Sequence, residues 1–223
     1  MAGFRTHLSF AVGGGALLAV GGWQAGLWTP SEALPLAVLT AFGGILPDID
    51  SDHSRAVRLI FTVAAVLAVV AGALLLRPWL GPGALLAVCG GLYVGVRYLL
   101  SRVFKRFSVH RGIWHSLLAS LLCGMTVSAA SYQFLAQDAS LAWAQGLALI
   151  VGCLIHLLLD ELYSVDLVGA RIKRSFGTAF KLFVYRQPCN AMLMLIMAAG
   201  LVPWLPPWEP LLVLMAQGSS LWR

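Results

Sequence analysis

Apolar runs of membrane-spanning length alternate with short polar clusters along the 223 residues of this chain. A helix that crosses a bilayer needs about 20 mainly apolar residues. The pattern predicts spans at 7–24, 31–46, 56–76, 82–100, 113–135, 141–160 and 190–205. The segment 31–46 is short, so it either crosses with little tilt or fails to cross. A further apolar stretch, 209–217, is shorter still and flanked by proline, and is expected at the interface. The expected fold is an all-α polytopic membrane protein of about seven transmembrane helices. Residues 1–223 read as a single integral membrane domain. Its polar motifs fall within 6–160, a basic cytoplasmic segment occupies 161–189, and a C-terminal span with an interfacial helix fills 190–223.

Composition agrees. Hydrophobic residues make up 60% of the chain and charged residues 11%, with a mean hydropathy of +0.85. Soluble domains carry roughly a quarter charged residues. The first apolar run could pass for a signal peptide, but cleavage would remove His7, so it reads as a retained first span. The four cysteines show no C-x-x-C spacing and read as apolar thiols without a disulfide framework.

Charge sets the expected orientation, because Lys and Arg concentrate in short cytoplasmic loops. With the N-terminus inside and seven crossings, all of the 15 basic residues except Arg77 and Arg223 fall on the cytoplasmic side. Every tryptophan except Trp114 falls near the outer boundary, where indole rings settle. The net charge of +6 is therefore a topology signal, and no specific nucleic-acid binding is expected.

The same threading gathers the chemistry. All five histidines, and five of the nine acidic residues, lie in or beside four polar clusters at the inner ends of spans. His156 and Asp160 are spaced i, i+4 and share one helical face. A nitrogen and a carboxylate so placed can coordinate one ion, or Asp160 can bridge two. Ionisable groups within a span are costly to bury and functional by default; the bland alternative is a His–Asp pair that pins two helices.

His110 and His115 are too far apart for one helical face, but a loop ligand and a helix ligand can still meet at one centre. Arg111 between them could hold an anionic oxygen, or could only follow the positive-inside rule. Asp48, Asp50 and Asp52 would line one side of an extended segment. Like charges so close repel unless a cation neutralises them. His53 could be a ligand or a helix cap. His7 follows Thr6 and opens a glycine-rich helix; alone it could be a merely interfacial histidine. The basic segment around Lys173 and Arg174 could hold lipid headgroups or a substrate phosphate, or serve orientation alone.

The pieces Thr6-His7, Leu46-Pro47-Asp48-Ile49-Asp50, His110-Arg111-Gly112 with His115-Ser116, and His156-Leu157-Leu158-Leu159-Asp160 resemble, in this order, the YdjM family of bacterial inner-membrane proteins, regarded as metal-dependent hydrolases. That family is distantly similar to zinc-dependent phospholipase C and the P1 type of nuclease. The resemblance implies hydrolysis, with phosphoesters such as lipid headgroups the favoured substrates and membrane lipids the partners. It implies a metal set of His7, Asp50, His110, His115, His156 and Asp160 holding one to three Zn²⁺, with Mn²⁺ an alternative. Asp48 and Asp50 would be the catalytic carboxylates, and Arg111, Lys173 and Arg174 the substrate-binding cations. The chain departs from the family at Trp114, where Thr is expected, and after Glu161, where a Thr-Pro-x-Gly continuation is missing. Both departures bear on substrate identity.

Competing readings fare less well. A transporter would place its polar groups at mid-span, whereas these gather at span ends. A phosphohistidine lipid phosphatase resembles a pattern with Ser-Arg where this chain has Leu149-Ile150, and a diiron desaturase needs more histidines than five. A scaffold with a structural metal uses the same residues as an enzyme and stays open.

Overall fold

A computed structural model describes residues 3–50, 55–107, 114–166, 171–172, 181–183 and 188–220. These form helices α1 (Phe4–Gln24), α2 (Pro30–Gly43), α3 (Arg55–Leu76), α4 (Pro82–Val94), α5 (Ser101–Phe107), α6 (Leu117–Phe134), α7 (Ala139–Leu162), α8 (Pro188–Leu201) and α9 (Trp208–Ser220). A 3-10 turn, Pro47–Asp50, follows α2, and a π-helical turn, Gly95–Leu100, joins α4 to α5. The all-α expectation is met but for one antiparallel pairing of two-residue strands. There Val165 faces Ile172 and Asp166 faces Arg171, within the segment read as basic loop.

The chain divides into two compact units. The first comprises Met1–Pro47 with Ile113–Arg223, and the second Asp48–Gly112. In the second unit, α3 packs on α4, and Phe61 meets Phe104 edge to face with ring centroids 5.6 Å apart.

Helices Ala56–Leu76, Pro82–Phe104, Leu117–Phe134 and Ala139–Leu162 are long and apolar enough to cross a membrane. The pair Pro188–Trp204 and Trp208–Gly218, bent by 100°, makes a fifth if it counts as one span. The structure thus supports four or five of the seven expected spans, and the differences have physical causes. At 14 residues, α2 is about 21 Å long, short of the roughly 30 Å hydrocarbon core. α1 has the length, but Arg5, Thr6, His7 and its glycines dilute its apolarity. The last span breaks where Pro203, Pro206 and Pro207 remove backbone donors.

The first unit is assembled through small residues. The buried stripe of α1 is His7, Ala11, Gly15, Ala19 and Gly22, so its backbone lies against α2. A methyl at Gly15 would come within 2.7 Å of the Ala37 carbonyl oxygen. α2 starts sharply at Pro30, where Thr29 N–H donates to the Glu32 carboxylate at 2.7 Å in a capping box. The closest approach is between α2 and α7. The Thr40 carbonyl occupies the space of a Gly152 side chain, and the Leu149 carbonyl that of a Gly43 side chain. Two helices cross there backbone to backbone, which only small residues permit.

A substitution series tests this crossing. Gly152→Ala should destabilise the protein by about 1–3 kcal/mol through overpacking, read as a lower melting temperature in detergent. Gly21→Ala, on open space in α1, should be neutral or stabilise by roughly 0.5–1 kcal/mol through helix propensity. Equal melting temperatures for Gly152→Ala and the parent would contradict the close crossing.

Candidate metal centre

Three separate segments of the first unit bring ligand groups to one buried point. α1 supplies His7 near its N-terminus, on the small-residue stripe that faces the core. α7 supplies His156 and Asp160, one turn apart on its buried face with Gly152 and Cys153. His115 comes from the residue before Ser116, which N-caps α6 by accepting from Ala119 N–H at 3.3 Å. The next donors of α6 are satisfied from a distance: Leu117 N–H bonds the Lys181 carbonyl and Leu118 N–H the Leu182 carbonyl, at 3.0 and 3.1 Å. The start of α6, and with it His115, is thus held by backbone from beyond the strand pair.

Asp160 is the hub. Its Oδ1 lies 3.3 Å from His7 Nε2, and its Oδ2 lies 3.9 Å from His115 Nε2 and 3.8 Å from His156 Nε2. The His7 and His156 rings stack at 3.8 Å with 12° between planes, and His115 meets His156 edge-on at 5.5 Å. Relative exposure is 2% for His7, 3% for His115, 0% for His156 and 7% for Asp160. Water is therefore largely excluded from the groups that most need solvation.

Gly44 sets the chemistry of His156. The His156 Nδ1 sits 2.8 Å from the Gly44 carbonyl oxygen. A carbonyl only accepts, so Nδ1 carries the proton and Nε2 keeps its lone pair. That lone pair is on the side of the ring facing Asp160, itself an acceptor when ionised. Outer hydrogen bonds that fix a ring in this way are the usual support of a metal-bound histidine. The α2–α7 crossing makes the bond possible, since only a close approach brings a backbone carbonyl of one helix end to a side chain of the other.

The donor set fits a metal ion. Bonds of about 2.0–2.2 Å to imidazole and carboxylate in a tetrahedral shell place neighbouring donor atoms about 3.3 Å apart. The three separations from Asp160 equal that value or exceed it by 0.5 to 0.6 Å. Ligand atoms of His7, His156 and Asp160 all lie within 4.8 Å of one another. His7 Nδ1, the ring nitrogen turned away from Asp160, is buried without a hydrogen-bond partner among the described residues, a costly state that an ordered water would relieve.

Of the residues expected from sequence, His7, His115, His156 and Asp160 come together. Asp48 lies in the 3-10 turn at the start of the second unit, and so does the backbone of Asp50. The Asp50 side chain, together with Asp52, His53, His110, Arg111, Lys173 and Arg174, lies outside the described residues. Sequence reasoning missed the Gly44 carbonyl and the glycine crossing beneath it. A signal was present: Gly152 precedes His156 by one helical turn, and Gly43-Gly44 ends an apolar helix.

Purified in detergent without added metal, the protein should carry a transition metal in near-stoichiometric amount by elemental mass spectrometry. The Asp160→Ala variant should lose it, and so should a His156→Ala/Asp160→Ala double variant. Full metal retention by Asp160→Ala would sink the assignment of Asp160 as hub.

No curated protein and no solved structure matches this sequence. The family model described as YdjM inner membrane protein matches residues 1–216, nearly the whole chain. With several helices apolar enough to span a membrane and a buried His/Asp cluster that can hold a metal ion, the chain belongs to the YdjM family of inner membrane proteins.

Proposed function

We propose that the protein is a metal-dependent hydrolase of phosphoester bonds, working at the cytoplasmic face of the inner membrane. The observation that carries this reading is the convergence of three imidazoles, from three segments, on the single buried carboxylate of Asp160. Structural pinning needs one partner for Asp160; three histidines around it support a ligand set.

Zinc is the favoured metal, with manganese second, because imidazole and carboxylate donors at these separations suit a small divalent ion. The two carboxylate oxygens turn to different partners, Oδ1 to His7 and Oδ2 to His115 and His156. That division suits either one ion or a carboxylate bridging two. A bound ion would supply an acidified water and polarise a phosphoryl oxygen. The chain's own part is to hold the donors: Gly44 orients His156, Ser116 and the 181–182 backbone fix His115, and the α1 stripe seats His7. In the overall reaction, water oxygen bonds to phosphorus, the phosphorus–oxygen ester bond breaks, and the leaving oxygen takes a proton. Support for phosphoesters in particular comes from the sequence resemblance, and the burial of the cluster supplies the low-dielectric setting such chemistry uses.

The near-complete burial of all four ligands also suits a second reading, a scaffold with a closed structural metal shell. Activity separates the two. Metal-loaded protein should hydrolyse bis(p-nitrophenyl) phosphate. His115→Ala should lower kcat/KM by more than the roughly 10–100-fold that loss of an outer partner costs. A fully loaded protein without phosphoesterase activity would favour the scaffold.

The orientation follows the basic residues, with the N-terminus cytoplasmic and seven segments threading or entering the membrane. In a cysteine-free background, Gln24→Cys at the far end of α1 should label with a membrane-impermeant thiol reagent from the outer side. Labelling only after the membrane is opened would reverse the topology.

A further inference from the structure

The outer faces of α1 and α7 leave between them an open groove of ≈ 520 Å³. Phe10, Gly13 and Leu17 form one wall and Ile155, Leu158 and Leu162 the other, each set at helical i, i+3, i+7 spacing. None of the lining residues is charged. Phe10, Leu17, Leu158 and Leu162 are all exposed. Gly13 adds no side chain to this space, and a methyl there would meet nothing within 4 Å. From Phe10 to Leu17 the groove follows α1 for about 10 Å.

Its position makes it more than lipid-facing surface. Ser9 and Leu159 also line it; the first lies two residues from His7 and the second adjoins Asp160. Along both helices, one end of the apolar trough thus lies within two residues of the polar centre, and the trough follows α7, which is long and apolar enough to cross a membrane. A guest that satisfies both ends has a polar head and an alkyl tail. Apart from the Ser9 hydroxyl, the walls offer no side-chain hydrogen bond, which suits a hydrocarbon chain better than a peptide.

We propose that the α1–α7 groove holds an acyl chain of a membrane lipid whose phosphoester headgroup is presented to the His7–His156–Asp160 centre. The proposal rests on the phosphoesterase reading for its headgroup half; the acyl half stands on the groove. It makes the substrate a lipid, entering sideways from the bilayer with its tail guided by α1.

The test uses the full chain in vesicles of phosphatidylethanolamine and phosphatidylglycerol, the latter carrying a diazirine on one acyl chain. After illumination, peptide mass spectrometry should find adducts enriched severalfold on the segments bearing Phe10, Leu17 and Leu158 over the exposed Leu67 and Leu86 of the second unit. Gly13→Phe, and the smaller Gly13→Leu, should abolish that enrichment at unchanged metal content. Both should also lower the ratio of kcat/KM on phosphatidylglycerol to that on chainless bis(p-nitrophenyl) phosphate. Gly21→Phe, on open space off the groove, should keep both the enrichment and the ratio. Uniform labelling, or enrichment untouched by filling Gly13, would overturn the proposal. So would a dimer that Gly13→Phe dissolves in place of a lipid adduct, since a second copy would then be the occupant. Enriched labelling in a metal-loaded protein that cleaves neither substrate would uphold the acyl groove and overturn the phosphoesterase reading.

Discussion

Helices α2 and α7 touch through their backbones, and the arrangement of the site depends on that contact. With Gly43 and Gly152 at the crossing, each helix fills the space a side chain would take on the other. This close approach accompanies the contact between the Gly44 carbonyl and His156. The bond at 2.8 Å then holds the proton on Nδ1 and turns Nε2 toward Asp160. Two glycines with no chemistry of their own thus determine which nitrogen of a histidine is available.

The polar cluster is buried among its own members as much as against the crossing. A lone carboxylate or imidazole in an apolar interior is destabilising. Here each group is given several neighbours at once: Asp160 has three imidazoles, and His156 has a stacked ring, an edge-on ring and a carbonyl. Such a network is stable when every member is satisfied and costly when one is not. Among the described residues, His7 Nδ1 has no hydrogen-bond partner.

Much of this was legible in the sequence. Helix positions followed from hydropathy, and the predicted 56–76 and 141–160 lie within one residue or two of the ends of Ala56–Leu76 and Ala139–Leu162. His156 and Asp160 declared themselves by i, i+4 spacing, and His7 and His115 by being polar at span ends. The number of spans was less legible, because counting apolar residues does not register how a polar first turn in α1 or a 14-residue α2 alters what a segment can cross. The Gly44 carbonyl was invisible for a different reason. Backbone groups are the same at every residue, and only the crossing of two distant helices gives one of them a role. The strand pair at 165–172 is too short for period-two patterning to show.

His115 has a further dependence. It immediately precedes the N-cap of α6, and the first turn of that helix takes two of its backbone bonds from residues 181 and 182. The segment connecting α7 to α8 therefore acts on the ligand set through the main chain, from the far side of the strand pair. A displacement of the Lys181 and Leu182 carbonyls would be transmitted to one imidazole, whereas His7, His156 and Asp160 are carried by α1 and α7. Three of the candidate ligands are built into helices, and the fourth depends on backbone bonds from outside its own helix.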